Sequence, residues 1–584
     1  MSANRLRRRR SPSRRWAIRI VVLVLAVWLV ASGVVLWGVR SRTNAGLDAL
    51  DRAEQRLDAA QLLRGAGASD LVFAESEFAD AHDLAASPVL APWRVVPLLG
   101  GNVSSVADMT DAAAEVAAIG ERVSSAAAAV VAQQPTDGAA RLDLLAQLEQ
   151  ISAAADRSLA RLDLGNDFFL IGPVGDARRR FLERLIQLRS TVSDAQAVTA
   201  GAQTLLRGPR RYLVVAANNA EMRAGSATFL SVGVATFADG AFSLGEMAPT
   251  QTFGVPGGVP LPPEVETLWG FTPMGEDWRY LAMSPRFEVT APLAADMWEA
   301  ATGEVVDGVL LVDPVTLQAL LAAQGPVTAG GRELSADDVL AYLLLGQYEG
   351  LGIDDPDQSD RRDQLSVVAR AGVDTLTTRP WDVDALVQQL GDVGAGRHLL
   401  AWARDTEEQR AWVAGGVDGS FEGDSLAPNV LNLGGNKLDQ FLQVGANLAL
   451  TERADGGRDA TLTLTLRNQT PEGLAPYVTG PHPSTGLAEG EYQGIVTVNT
   501  PGFATLPSIE GADPVAVSGV DGPTKVVGGF VRLLRGATQT VTVRFTLPAG
   551  VSSLRVEPSA RVPPIAWTAL GEEWTDTAPY HLEW

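Results

Sequence analysis

The sequence predicts a multidomain α+β protein: a single N-terminal transmembrane helix, a helical bundle, a central α/β domain and a C-terminal antiparallel β-sandwich. Three observations predict it. Residues 20–39 form an unbroken apolar run, and residues 44–206 carry apolar side chains at steps of three and four. From about residue 440 the chain alternates at period two between turn residues.

The run IVVLVLAVWLVASGVVLWGV is long enough to cross a ~30 Å hydrocarbon layer at ~1.5 Å per residue. Arg5, Arg7, Arg8, Arg9, Arg10, Arg14, Arg15 and Arg19 precede it, and only Arg40 and Arg42 closely follow. The positive-inside bias therefore predicts a cytoplasmic basic tail (residues 1–19), with the bulk of the chain extracytoplasmic at the plasma membrane. A cleaved signal peptide is the other reading of such a run. This one is longer than a ~7–15-residue signal core, ends in tryptophan and valine, and lacks a small-residue cleavage site, so it reads as a retained anchor.

The net charge of −22 understates the acidity of the outer part. Residues 1–42 hold ten of the 47 basic residues and no acidic ones, which leaves 37 basic against 69 acidic residues beyond them. That surface repels nucleic acid and other polyanions as a whole, although a local basic pocket can still hold phosphate. Lys437 and Lys525 are the only lysines, an arginine-rich usage like that of high-GC, actinobacterial-like coding. Cysteine is absent and the four histidines (His82, His398, His482 and His581) are scattered. Disulfides and cysteine nucleophiles are thereby excluded, and zinc sites are disfavoured.

In the 44–206 segment, Val106, Met109, Ala113, Val116, Gly120, Val123, Ala127 and Val130 make one apolar stripe. Phe181, Leu185, Leu188, Val192 and Ala195 make another, and Leu142, Leu145, Leu148 and Ile151 a third. Such stripes require burial against other helices, giving a bundle of four or five antiparallel helices beside the membrane. Breaks fall at Pro88–Pro97, at Pro135–Gly138 and at Gly172-Pro173.

Over 207–395 strands and helices alternate, which makes an α/β domain. RRYLVVAANN (210–219) and TFLSVGVAT (228–236) read as strands with a loop Asn218–Gly225 between them, and Ala238-Asp-Gly240 as a turn into 241–244. The Pro- and Gly-rich residues 248–275 read as a long surface loop, and 296–301 as part of a helix. DGVLLVD (307–313) is a strand, Pro314 opens a helix, and Gly325-Pro-Val327 turns into the next strand. Ser335 is placed as an N-cap with Asp338 completing a capping box. Residues 396–439 read as a helical linker, helical over 397–420, before the sandwich at 440–584, where Thr461, Thr463 and Thr465 alternate with Leu462, Leu464 and Leu466.

No serine-nucleophile elbow, His-Glu-x-x-His or phosphate-binding loop occurs. Two charged groupings remain. Asn218-Asn-Ala-Glu-Met-Arg223 follows a strand, where open α/β sheets bind ligands, so Glu221 and Arg223 are candidate binding groups. A loop whose asparagines satisfy backbone amides is the equal alternative. The second is Asp354-Asp-Pro-Asp-Gln-Ser-Asp-Arg-Arg-Asp-Gln364. Its oxygens at 355, 357 and 359 have calcium-loop spacing, but Asp360 stands where the loop needs glycine and Ser366 where it needs glutamate. The same acids with Arg361 or Arg362 can hold Mg²⁺ and phosphate, or simply form a solvated charged loop before a helix.

The order RRYLVVAANNAEMRAGSATFLSVGV, WRYLAMSPRFEVTAPLAADMWEAATG, VDGVLLVDPVTLQALLAAQGPV resembles the bacterial "domain of unknown function 4012" family over about residues 90–420. That resemblance implies a membrane-anchored exported protein of the cell envelope. More distantly, the α/β part is similar to the LytR-CpsA-Psr family, which transfers glycopolymers from polyprenyl-pyrophosphate carriers. The shared pattern is the strand–helix–GPV unit at 307–327, Ala341-Tyr342, and the Asp/Arg-rich stretch ending at Gln364. This similarity implies pyrophosphate-binding arginines after the Ala-Tyr pair and before Gln364. Here Leu344 occupies the first such position, Asp360 and Asp363 the next two, and Arg361 and Arg362 lie out of register.

Three functions follow. The first is a non-catalytic binding or structural protein, facing the wall glycopolymer or an envelope protein. The second is a phosphotransferase on lipid-linked glycans, with Glu221, Arg223, Arg279, Arg286, Asp360, Arg361 and Arg362 as phosphate or ligand site and Mg²⁺ as cofactor. The third is an extracytoplasmic ligand sensor, for which the short cytoplasmic tail supplies no signalling domain.

Overall fold

The apolar run lies inside one continuous helix, Pro12–Arg56. Within the described residues it is the one helix long and apolar enough to cross a membrane. The computed structural model describes residues 12–56, 67–96, 99–165, 167–352, 364–481 and 485–584. It mixes helices with several sheets and divides into two units.

The first unit comprises residues 1–132 and 147–196. Beside the first helix it contains Ala68–Ala86, a single turn at Ala91–Arg94, and Gly100–Val131. The helices Gly138–Leu159 and Gly172–Arg207 contribute residues to both units. Small side chains let these helices approach closely. Ala49, Ala74, Ala113 and Ala117 surround Phe78, whose ring also lies against Gly46. Ile119, Ala155 and Leu159 form a further cluster with Leu185 and Val192.

The second unit comprises residues 133–146 and 197–584. Its first sheet has the order β3-β2-β1-β5-β8, with β4 (Ala248–Pro249) also pairing on β2. Here β1 is Arg210–Met222, β2 Ala227–Ala238, β3 Ala241–Leu244, β5 Gly308–Val312 and β8 Leu400–Ala403. Only β1 and β5 run parallel, with Tyr212 opposite Gly308 and Ala216 opposite Val312. Asp239 and Gly240 join β2 to β3 at φ 53° and 77°, the two-residue left-handed geometry that Asp-Gly favours. A hairpin of β6 (Val327–Ala329) and β7 (Arg332–Leu334) stands apart.

Four sequence expectations need correction. The strand β1 does not end at the asparagines but continues through Met222, its register shifting between Asn218 and Met222, because these residues bond to partners described below. Residues 248–275 are not a surface loop. They hold the helix Pro263–Trp269, and Val265, Leu268, Trp269 and Met274 are buried in the core beside Phe229 and Met297. The capping box forms only in part: Ser335 is the N-cap and Asp338 reaches back to it, but the Ser335 hydroxyl accepts from no helix amide and donates to Asp338 at 2.6 Å. The 397–420 segment is not wholly helical, since β8 pairs antiparallel with β5 before the helix Thr406–Ala414. Four residues, LAWA, are too few to display a period.

Two six-stranded sheets complete the unit. One has the order β13-β16-β11-β10-β18-β19, the other β14-β15-β12-β9-β17-β20. Strands β9 (Ser425–Asn432), β10 (Leu442–Glu452), β11 (Arg458–Asn468) and β12 (Tyr492–Pro501) are followed by β13 (Ser508–Glu510), β14 (Asp513–Asp521) and β15 (Thr524–Leu533). After them come β16 (Thr538–Leu547), β17 (Ser553–Val556), β18 (Ala566–Ala569), β19 (Glu572–Thr575) and β20 (Tyr580–Glu583). The alternating leucines 462, 464 and 466 face a core shared with Val430, Val496 and Val531 of the other sheet. The sandwich begins at Ser425, earlier than the alternation reveals, because β9 is buried on both faces. It is not wholly antiparallel as expected, since β10 pairs parallel with β18 and β9 with β17.

Gly308 gives a test of the β1–β5–β8 register. A Cβ there would overlap the Tyr212 ring and the carbonyl oxygen of Trp402 on β8, neither of which can swing away. Gly308→Ala is expected to lose about 1–3 kcal/mol by overpacking. Chemical denaturation of the detergent-solubilised chain measures it; an unchanged midpoint contradicts the register.

Candidate functional site

The carboxyl end of the parallel pair β1/β5 is where an open α/β sheet offers a ligand crevice. Two chain segments leave the sheet there. Asn218–Arg223 follows the regular part of β1, and Asp313 follows β5 as the N-cap of the helix Pro314–Gln324.

Asp313 is fully buried and organises one half. Its Oδ1 accepts from the amides of Val315 (2.9 Å) and Thr316 (3.0 Å). Its Oδ2 accepts from Asn219 Nδ2 at 2.8 Å and lies 2.6 Å from His398 Nδ1. A histidine held by a buried carboxylate is the positioning half of a hydrolytic triad. The hydroxyl beside the pair, Thr316 Oγ1, lies 3.4 Å from Asp313 Oδ1 and donates to the His398 carbonyl at 2.7 Å. The pair thus acts here as a brace between the helix start and the entry to β8.

The other half is a buried charge network. Asn218 donates to the Tyr348 hydroxyl at 2.7 Å. The Glu221 carboxylate pairs with Lys437, whose ammonium also lies 4.8 Å and 5.1 Å from the ring centres of Tyr348 and Tyr477. Burial alone pushes that ammonium toward neutrality, but Glu221 and the two tyrosines outweigh it and hold the charge firmly on. The Met222 amide donates to Asp439 Oδ2 at 3.0 Å. Asp439 in turn accepts from Arg561 (3.0 Å), Tyr492 (3.0 Å) and Asn432 (2.8 Å), and both Asp439 and Arg561 side chains are 0% exposed. Arg223 spends its guanidinium on the carbonyls of Arg279 (2.8 Å), Met222 (2.9 Å) and Asn432 (2.6 Å) and faces the Tyr280 ring. Desolvation lowers its pKa, which the nearby Glu221, Tyr280 and Asp439 only partly offset.

Lys437, Asp439, Asn432 and Arg561 all belong to the sandwich or its connections, as does Ala560, whose carbonyl accepts from Asn219 at 3.0 Å. The end of β1 is therefore covered by the sandwich. The loop carrying Ala560 and Arg561 is itself pinned by Asp576, which accepts from the Ser559 amide (3.0 Å) and hydroxyl (2.6 Å) and the Ile565 amide (2.5 Å). Burial raises the Asp576 carboxyl to about 6 against those donors.

Of the sequence-predicted residues, Glu221, Arg223 and Arg279 lie together. Arg279 makes a bidentate pair with Asp277, including Nη2 to Oδ2 at 2.6 Å, and is about half exposed. Arg286 is elsewhere, buried among Glu264 (2.9 Å), Glu288 (2.8 Å) and Asp521 (3.0 Å) of the sandwich strand β14. Burial opposes its charge, yet the three carboxylates raise its pKa overall. Asp360, Arg361 and Arg362 lie outside the described residues. Among the described residues, no group of three His, Asp or Glu is arranged to hold a metal ion. Sequence reasoning missed Lys437, Asp439, Arg561, Asp313 and His398. One signal was present: Lys437 is one of two lysines in a chain that otherwise uses arginine.

Residues 207–348 match the family model described as "Protein of unknown function (DUF4012)". That segment contains Asn218, Glu221, Arg223 and Tyr348, and ends short of Lys437 and Asp439. No curated protein matches the chain.

Removing one member of the network leaves an uncompensated buried charge. Lys437→Met is expected to cost about 3–5 kcal/mol, and adding Glu221→Leu to recover most of it. Denaturation midpoints of the two variants decide this; additive losses would mean the pair is not coupled. For Asp576 the folded pKa lies above the ordinary carboxylate value of 3.8, so the folded state holds the extra proton between about pH 4 and pH 6. Its contribution is complete below that window and falls by about 3 kcal/mol as pH rises through it. Melting curves from pH 4 to 7 should show a decline that Asp576→Asn flattens.

Proposed function

We propose that the chain, whose residues 207–348 match the DUF4012 family model, is a membrane-anchored, extracytoplasmic binding or structural protein of the cell envelope. One observation carries the proposal. Where an α/β sheet of this kind would receive a ligand, Asn219, Glu221 and Arg223 are committed to Ala560, Lys437 and Asn432 of the sandwich. Phosphoryl transfer needs cationic donors directed at a phosphate in a cleft. These donors are directed at protein carbonyls and carboxylates, which supports a mechanical or adhesive role over transfer. The arginine bias around residues 20–39 supports export of everything beyond residue 42. The negative outer charge disfavours wall polyanions as partners and favours neutral glycan or protein.

The absence of cysteine makes topology directly testable. In Val413→Cys, at a half-exposed helical position, a membrane-impermeant maleimide is expected to label intact cells. Labelling only after lysis would overturn the topology. The role is tested with the full chain in nanodiscs, supplied with a polyprenyl-pyrophosphate glycan and Mg²⁺. No transfer is expected. Transfer that Arg279→Ala abolishes would establish the enzyme reading instead.

A further inference from the structure

The helical unit holds a half-open cavity of about 280 Å³ that none of the preceding roles uses. Leu36 and Val39 of the first helix, Leu90 and Trp93 near the Ala91–Arg94 turn, Val103, and Ile171 wall it. Asn102 is the polar lining residue, and both ends of its amide are engaged: Nδ2 donates to the Phe169 carbonyl (3.2 Å) and Oδ1 accepts from the Ile171 amide (2.8 Å). A cavity so lined offers water no partners.

Its depth along the anchor is fixed by two tryptophans. Trp93 stacks on Trp28 at 4.8 Å and donates to Ser32 Oγ at 3.0 Å, while Trp28 donates to the Val89 carbonyl at 2.9 Å. Residues 28 and 32 stand about 12 Å and 18 Å along a helix whose apolar run begins at Ile20. In a ~30 Å hydrocarbon layer these two positions straddle the midplane, so Ser87–Val96 reaches from the leaflet on the folded side to the bilayer centre. The segment suits that place. Its amides bond locally, Leu90 to Ser87, Ala91 to Pro88, Trp93 to Leu90 and Val96 to Trp93, and Pro88 and Pro92 have none to satisfy. Around it Val95, Phe168, Phe169 and Ile171 are more than half exposed, apolar surface that water would otherwise cover. Arg94 is exposed with one Nη on the Ala85 carbonyl, placing a cation beside the cavity.

We propose that this tip is immersed in the adjoining leaflet and that the cavity takes one acyl chain of a bilayer phospholipid, with Arg94 near its phosphate. The inference rests on the anchor reading above. A hydrocarbon chain restores the dispersion contacts that an empty apolar void forfeits.

The test reconstitutes the full chain into phosphatidylcholine–phosphatidylglycerol vesicles with a phospholipid bearing a diazirine at its acyl terminus. After irradiation, adducts are mapped by mass spectrometry. Adducts are expected on residues 20–35 and on Leu90, Val103, Val106 and Ile171. Val103→Trp, and Leu99→Trp as a second filling variant, should remove the cavity adducts while leaving those on residues 20–35. Adducts on residues 20–35 alone would overturn the cavity site and leave the anchor standing. Adducts nowhere would overturn both. Cavity adducts that survive both filling variants would also overturn the site.

Discussion

The buried charge network at the end of β1 is the constraint on which the second unit depends. Desolvating Glu221, Lys437, Asp439 and Arg561 costs several kcal/mol per ion, and only closely matched partners offset it. Each charge here meets an opposite one, and most remaining donors meet carbonyls or aromatic faces, Arg561 Nε being a buried exception. Such a network adds little net stability over an apolar joint, but it is intolerant of misalignment. A sandwich docked one residue out of register would strand four charges. The network therefore sets a single arrangement of the sheet carrying β1 against the sandwich.

A second set of charges repeats the device. Arg286 ties Glu264 and Glu288 to Asp521 on β14, and Glu408, fully buried, accepts from Arg210 and from the Tyr212 hydroxyl. Arg210 opens β1 and Arg286 is the N-cap of the helix Phe287–Thr302, whereas Lys437 and Arg561 lie in connections of the sandwich. The chain uses charge as a fastener between elements, in the role that disulfides serve in many exported proteins.

Much of the architecture was legible because it depends on local period. The leucines at 462, 464 and 466 and the alternating valines near 541 reveal their strands by themselves, and the Asp-Gly turn at 239–240 fixes a hairpin. What stayed hidden depends on partners remote in sequence. β8 is recognisable only once β5 is beside it, and the buried Pro/Gly-rich segment around Trp269 only once Phe229 covers it. The site was half legible. Asn218–Arg223 stood out as polar residues closing a buried strand, but Lys437 lies 216 residues beyond Glu221 in sequence. A motif that looks poised for a ligand and one that is clasped by its own chain read identically until the clasp is seen.

The first helix runs from Pro12 to Arg56 without a break, so no hinge separates the part suited to lipid from the part packed on Phe78 and Glu77. Such a rod behaves as a lever. A change in its tilt is carried to Ala49 and Ala53, ten and fourteen residues past Val39, where the apolar run ends.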